Sequence, residues 1–258
     1  FMLYQRTASI RQLEQEFVAT MSHELRLPVT VIRAIGENLS QGIIKKEDRI
    51  QLYGSELVTE SDRLKGLVES ILLYSGLQSD RRTVNRENFD PALEIKGAAR
   101  ELQELLDSTE SKLSLEISGL PSYVTGDKRG FRMIISNLLS NAIFHGQPGF
   151  NETCFIHLKA EFLRGNTLRI FVSDNGRGIS RKEQNRIFQT FTRTPRSIQS
   201  QEPGSGLGLH IVKRICEING GAVDLESPYK DDDNQVRNGC RFKAVITVEH
   251  NHIKESEA

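Results

Sequence analysis

Cysteine is close to missing from this chain: Cys154, Cys216 and Cys240 are odd in number and none belongs to a CxxC pair. That excludes a disulfide framework and a zinc knuckle, and it favours a reducing compartment. An excess of charge of one sign is missing too. Lysine plus arginine and aspartate plus glutamate each number 34, a formal net charge of +0, so no overall field draws the chain to nucleic acid or to an anionic membrane. No run of 18 or more apolar residues is available to span a bilayer, and no basic stretch leads into a short apolar one to mark a signal peptide. The opening FMLYQRTASIRQ places an apolar patch before Arg6 and Arg11. It reads either as the flank of a membrane helix lying upstream or as a boundary without that meaning. Internal repeats and low-complexity segments are absent. What is present, 37% hydrophobic and 26% charged residues, is the composition of a soluble globular protein long enough for one large domain or two ordinary ones.

Helical periodicity dominates the first third. Ile10, Leu13, Phe17, Met21, Leu25, Ile32, Ile35 and Leu39 recur at helical spacings, predicting one helix over 4–40. Gly42 lies in a short polar turn, and a second helix is expected over 46–76 with Leu57, Leu64, Val68, Ile71 and Leu72 on one face. A single hairpin cannot bury both stripes, so pairing of two copies into a four-helix bundle is expected. The polar run 78–88 divides the chain into domains 1–80 and 81–258. In the second, segments 113–117, 154–162 and 167–174 read as strands, 127–146 and 206–220 as helices, and 222–227 with 241–249 as a hairpin spanning a solvated polar insert. Together they predict an α+β sandwich, helices on one mixed sheet.

Four clusters in this domain carry chemistry. Asn137 and Asn141 stand i, i+4 on one helix face, opposite Leu138, Leu139 and Ile143. They either hydrate that face or offer neutral amide oxygens to Mg²⁺. DNGRGI, 174–179, puts the carboxylate of Asp174 at a strand end before Gly176 and Gly178, where the backbone can pass close to a flat ring. Phe188 and Phe191 lead into a polar stretch and read as core or as the start of a loop. GSGLGL places Gly204, Gly206, Leu207 and Gly208 at a helix start, an anion site for phosphate. Each alone is common; the order of the four is not.

In that order, over residues 85–250, the clusters resemble the N, G1, F and G2 boxes of the GHKL ATPases, a group that includes gyrase, heat-shock and mismatch-repair ATPases and sensor histidine kinases. The resemblance implies ATP and Mg²⁺ as ligands. Asn141 would hold the metal with Asn137 in support, Asp174 would bind the adenine amino group, Gly176 and Gly178 would shape that wall, and a lid would run from Phe188 to Gly204. Gly204, Gly206 and Gly208 would cradle the phosphates.

The first domain contains FVATMSHELRLPVT, 17–30. On residue type alone, His23 could be a packing residue, a metal ligand or a nucleophile. The segment resembles the H box of sensor histidine kinases of two-component systems, whose helical hairpin is joined to such an ATPase domain. The resemblance implies an ATP-dependent protein-histidine kinase, phosphorylated on His23 with Glu24 orienting the ring. It further implies a homodimer and a response-regulator receiver domain as acceptor. The catalytic portion would be cytoplasmic, at the inner face of the membrane if an anchor lies upstream. Arg26 would approach the phosphoryl group or remain solvated, and Pro28 should bend the helix past the histidine. Two positions depart from the pattern. Leu27 stands where Thr or Asn commonly positions water, which predicts weak phosphatase activity. Phe144 stands where a cation often contacts phosphate, leaving His145 to supply a weaker contact or to cap the helix. A catalytically silent relative that serves as a binding module is the alternative; a gyrase-like clamp would leave 17–32 unexplained.

Overall fold

The computed structural model describes residues 21–22, 25–43, 47–78, 85–149, 152–190, 192 and 206–250. His23, Glu24, Phe191 and Gly204 lie outside them. The chain divides into two compact units, Phe1–Asp80 and Arg81–Ala258.

In the first unit, helix α1 spans 25–40 and α2 spans Glu47–Gln78. Met21, Pro28 and Ile35 are buried at sevenfold spacing, with half-buried Leu25, Ile32 and Leu39 interleaved. The alternating steps of four and three are those of a helix that packs along its length on another. Helix α1 continues through Pro28, and the Thr30 hydroxyl donates to the Arg26 carbonyl at 2.7 Å just beyond it. After α1, Gly42 adopts φ +65°, a left-handed turn conformation that suits glycine. Among the described residues, no helix is long and apolar enough to cross a membrane.

The second unit is built on a five-stranded sheet. Its strands are β2 (Lys112–Glu116), β4 (Phe155–Leu163), β5 (Thr167–Asp174), β6 (Val223–Glu226) and β9 (Arg241–Thr247). The order is β2-β4-β5-β9-β6; β2 runs parallel to β4 and every other pair is antiparallel. Strands β1 (Glu87–Phe89) and β3 (Val124–Gly126) form a small separate ladder. Three helices supply the second layer: α3 (Pro91–Glu101), α5 (Lys128–His145) and α7 (Gly208–Ile218), with short α4 (Gln103–Ser108) and α6 (Arg181–Gln184) between them. One face of the sheet presents Ile156, Leu158, Leu168, Ile170, Val172, Phe242, Ala244 and Ile246, all buried. Phe131, Ile134, Ile135, Leu138, Leu139 and Ile143 of α5, with Ile211, Val212 and Ile215 of α7, complete the core. Truncating one of these leucines or isoleucines to alanine costs about 2–5 kcal/mol, a large fraction of a typical domain's margin of about 5–15 kcal/mol.

Helix α3 begins on a strong signal: Pro91 at its first position and Asp90 as cap, its carboxylate accepting from Ala92 N at 2.8 Å and Leu93 N at 3.1 Å. The insert after β6 is more ordered than its polar composition suggests. Strands β7 (Tyr229–Lys230) and β8 (Val236–Arg237) pair within it. Asp232 reaches Lys159 of β4 at 2.8 Å, and the guanidinium of Arg241 lies 4.6 Å from the Tyr229 ring centre. The insert therefore packs over the sheet face that carries no helix.

Candidate functional site

The polar face of α5, the turn that follows β5 and the start of α7 converge. Asp174 ends β5 with its carboxylate buried, held by the backbone amides of Gly176 at 2.9 Å and Cys240 at 3.2 Å. Burial raises this carboxyl to about 6, and the two amide donors only partly offset that. Backbone surrounds it. A methyl on Gly176 would come within 2.8 Å of Asp174 Oδ1 and 2.9 Å of the Gly146 backbone. One on Gly146 would meet Asp174 Cβ at 2.8 Å and strike the Ala142 carbonyl, and one on Gly239 would strike the Asp174 carbonyl. Three glycines from three segments thus leave a carboxylate lined by main chain, where a flat ring can lie close.

The turn itself is pinned from both sides. Asn175 accepts from Phe155 N at 2.7 Å and donates to the Thr153 carbonyl at 3.1 Å, and Arg177 donates to the Pro148 carbonyl at 2.7 Å. On the other side, Gly178 (φ +77°) passes Ser227, whose hydroxyl accepts from Ile179 N at 2.8 Å. Cys154 donates its thiol to the Gly146 carbonyl at 3.2 Å; burial raises it to about 11, with the nearby Asp174 charge adding to the rise, so it stays a thiol.

Asn137 anchors its amide on the Met133 carbonyl at 2.9 Å, and its oxygen faces the start of α7, where a methyl on Gly208 would come within 2.6 Å of it. One turn on, Asn141 keeps a buried Nδ2 with no hydrogen-bond partner among the described residues. A buried donor without a partner costs free energy, so this one calls for an explanation, and a hydrogen-bond acceptor brought by a bound molecule is one. Gly206 takes φ +67°, and Leu207, fully buried, anchors the helix start. His145 is exposed at the last turn of α5. Phe188 packs its ring edge-on against Phe242, centres 6.4 Å apart, and its carbonyl lies 3.1 Å from His210 Nδ1. Burial lowers the pKa of His210, so a neutral ring with its proton on Nδ1 fits that contact.

The structure therefore brings together Asn137, Asn141, Asp174, Gly176, Gly178, Gly206, Leu207 and Gly208, and sets His145 and Phe188 at the margin. Gly146, Asn175, Ser227, Gly239 and Cys240 line the same turn; of these, Asn175 lies inside the DNGRGI motif and the other four lie outside the quoted clusters. Of those four, Gly146 alone had a signal, as the residue that ends the asparagine-bearing helix.

Comparison with known proteins gives the family. The family model described as His Kinase A (phospho-acceptor) domain matches residues 13–80. The model for the histidine kinase-, DNA gyrase B- and HSP90-like ATPase matches residues 126–250. The circadian input-output histidine kinase CikA of Synechococcus elongatus is 31% identical over 215 residues, which is 82% of this chain; the chain spans 28% of that relative's length. Among solved structures, the histidine kinase AdeS of Acinetobacter baumannii superposes with a TM-score of 0.64 at 21% identity, over 88% of this chain and 98% of that one. Histidine kinase ThkA in complex with the response regulator TrrA gives 0.63 at 21% identity, over 97% and 67%. At such identities the two structures speak to fold alone. With one family model on each unit and a histidine kinase relative aligned over 82% of the chain, the chain belongs to the sensor histidine kinases and contains their catalytic core.

Proposed function

We propose that this chain is an ATP-dependent protein-histidine kinase that phosphorylates itself on His23 and passes the phosphoryl group to an aspartate of a response-regulator receiver domain. The observation that carries the nucleotide half is the Asp174 carboxylate, buried and walled by Gly146, Gly176 and Gly239. It can accept from the exocyclic amine of adenine while the ring lies on main chain. Asn137 and Asn141 face the triphosphate, Gly204, Gly206 and Gly208 present amides to it, and the segment from Phe188 to Gly204 serves as lid. Asn141 fits a magnesium site through its amide oxygen, which suits a hard cation otherwise held by phosphate and water, while its unmatched Nδ2 is a donor suited to a phosphate oxygen. When bound, the cation neutralises charge on the β- and γ-phosphates.

The transfer balances simply. A lone-pair nitrogen of neutral His23 attacks the γ-phosphorus, the bond to the β,γ-bridging oxygen breaks, and ADP leaves with that electron pair. The Glu24 carboxylate accepts the hydrogen bond from the other ring N–H, fixing the tautomer and supporting the imidazolium that forms. A homodimer supplies the bundle that presents His23. A membrane anchor upstream of residue 1 would place these domains on the cytoplasmic side. Leu27, exposed on α1, can neither donate nor accept a hydrogen bond, so the chain is a poor phosphatase.

A silent binding module is the second reading, favoured by half-buried Phe144 where a cation is usual. Incubation with γ-labelled ATP and Mg²⁺ separates them. Acid-labile, base-stable label on the native chain and none on His23→Gln establishes the kinase. Absence of ATP binding leaves the module.

A further inference from the structure

The polar insert meets the nucleotide site through one side chain. Ser227, at its near end, accepts from Ile179 N at 2.8 Å and donates to the Gly239 carbonyl, at its far end, at 2.7 Å. Its own carbonyl accepts from Gln184 Nε2 at 2.7 Å, and the same amide also donates to the Ile179 carbonyl at 2.8 Å. Gly178 packs so close that a methyl there would lie 2.6 Å from the Ser227 hydroxyl. Gly239 in turn packs on the backbone of Asp174 and Gly176, and the next residue, Cys240, both accepts from Asp174 N at 2.9 Å and donates to its carboxylate at 3.2 Å. One hydroxyl therefore closes a ring from the glycine turn, across the two ends of the insert, to the carboxylate.

We propose that Ser227 is a positioning residue for the adenine wall: by tying Ile179 to Gly239 it fixes Gly178 and holds the Cys240 amide on Asp174. The proposal rests on reading Asp174 as the adenine acceptor, and it makes the insert part of the site although, among the described residues, the hydrogen bonds to that carboxylate come from Gly176 and Cys240 and not from β7 or β8. A hydroxyl that bridges two main-chain groups keeps both satisfied; without it, the Ile179 amide and the Gly239 carbonyl lose their common partner.

The consequence is specific. With the Cys240 amide displaced, the carboxylate loses a donor that favours its charged form, so ATP is released at a higher pH on acidification. The other titratable groups that act on Asp174 are the thiols of Cys154 and Cys240 and the phenol of Tyr229, each raised by burial and neutral across pH 5–8.

The test is ATP affinity by calorimetry between pH 5 and 8 for the native chain, Ser227→Ala and Asp174→Asn. Ser227→Ala should bind ATP on the order of tenfold more weakly at pH 7.5 and lose it at a higher pH than the native chain. Native affinity in Ser227→Ala overturns the proposal, as does weaker binding with the acid midpoint unmoved, which is a merely structural effect. Should Ser227→Ala fail to fold, Ser227→Cys, a weaker donor and acceptor, takes its place with the same two outcomes. Native ATP affinity in Asp174→Asn would instead overturn the adenine reading, and the proposal with it.

Discussion

At the scale of the residue, Asp174 sets function against stability. Its carboxyl stands near 6 in the folded chain against 3.8 in a model peptide, a gap worth about 3 kcal/mol. A carboxyl raised on folding stabilises the fold while protonated; that contribution is complete below pH 4 and is lost as pH rises through 6. Asp174→Asn removes the buried charge while keeping an oxygen for the Gly176 and Cys240 amides. It should therefore melt higher than the native chain at pH 7.5 and nearly with it at pH 4, the difference opening between pH 4 and 6 in thermal scans. The same variant should lose at least tenfold in ATP affinity, since the amide also presents a donor to the adenine amine. A native-like melting curve at pH 7.5 would show that the carboxylate is already paid for by its donors.

At the scale of the element, α5 does two jobs on two faces. One is structural: Glu94 of α3, 8% exposed at its side chain, pairs with Arg132 at 2.8 Å and Lys128 at 3.5 Å. Arg132→Met leaves that buried carboxylate with the longer contact alone. Because Arg132 is 34% exposed, the loss should be about 1–2 kcal/mol, read as a lower urea midpoint at unchanged slope. The other is the ligand face. In Gly208→Ala the new methyl would press within 2.6 Å of Asn137 Oδ1, so ATP affinity should fall on the order of tenfold while the melting temperature barely moves. Unchanged affinity would mean that Asn137 can swing aside without cost. These two faces differ in how far the sequence reveals them. Helix α5 and strands β4, β5 and β9 are legible because their apolar residues repeat at 3.6 or 2. Helix α3 has Ile95 as its only fully buried large side chain, backed by Ala98 and Ala99, so its periodicity is faint although Asp90-Pro91 marks its start. Strands β1 and β3 are three residues each, too short for alternation to register. Within the site, Asp174, Gly176 and Gly178 fall within five successive residues and form a pattern. Gly146, Ser227 and Gly239 reach them only through strand pairing and helix packing, and two of the three flank an insert whose composition reads as a solvated loop.

At the scale of the molecule, the first unit leaves apolar surface uncovered. Ile50, Leu57, Leu64 and Val68 lie within a narrow stripe along α2, separated by steps of seven, seven and four. Leu57 and Leu64 are half-buried, whereas Ile50 is 45% and Val68 42% exposed. A stripe that continues past the cover its own hairpin provides is the form of a surface completed by a second copy. Burying one such side chain contributes about 1.5–3 kcal/mol, and twofold symmetry counts each contact twice. Placing a carboxylate at both positions, Ile50→Glu with Val68→Glu, should therefore convert a dimer in sedimentation equilibrium to a monomer at micromolar concentration. The ATP-binding unit carries its own core and site, so nucleotide affinity should survive. Labelling of His23 from γ-labelled ATP should fall steeply if the lid of one chain serves the histidine of the other, and little if each chain serves its own. A double variant that still sediments as a dimer would place the interface on a different face of the hairpin.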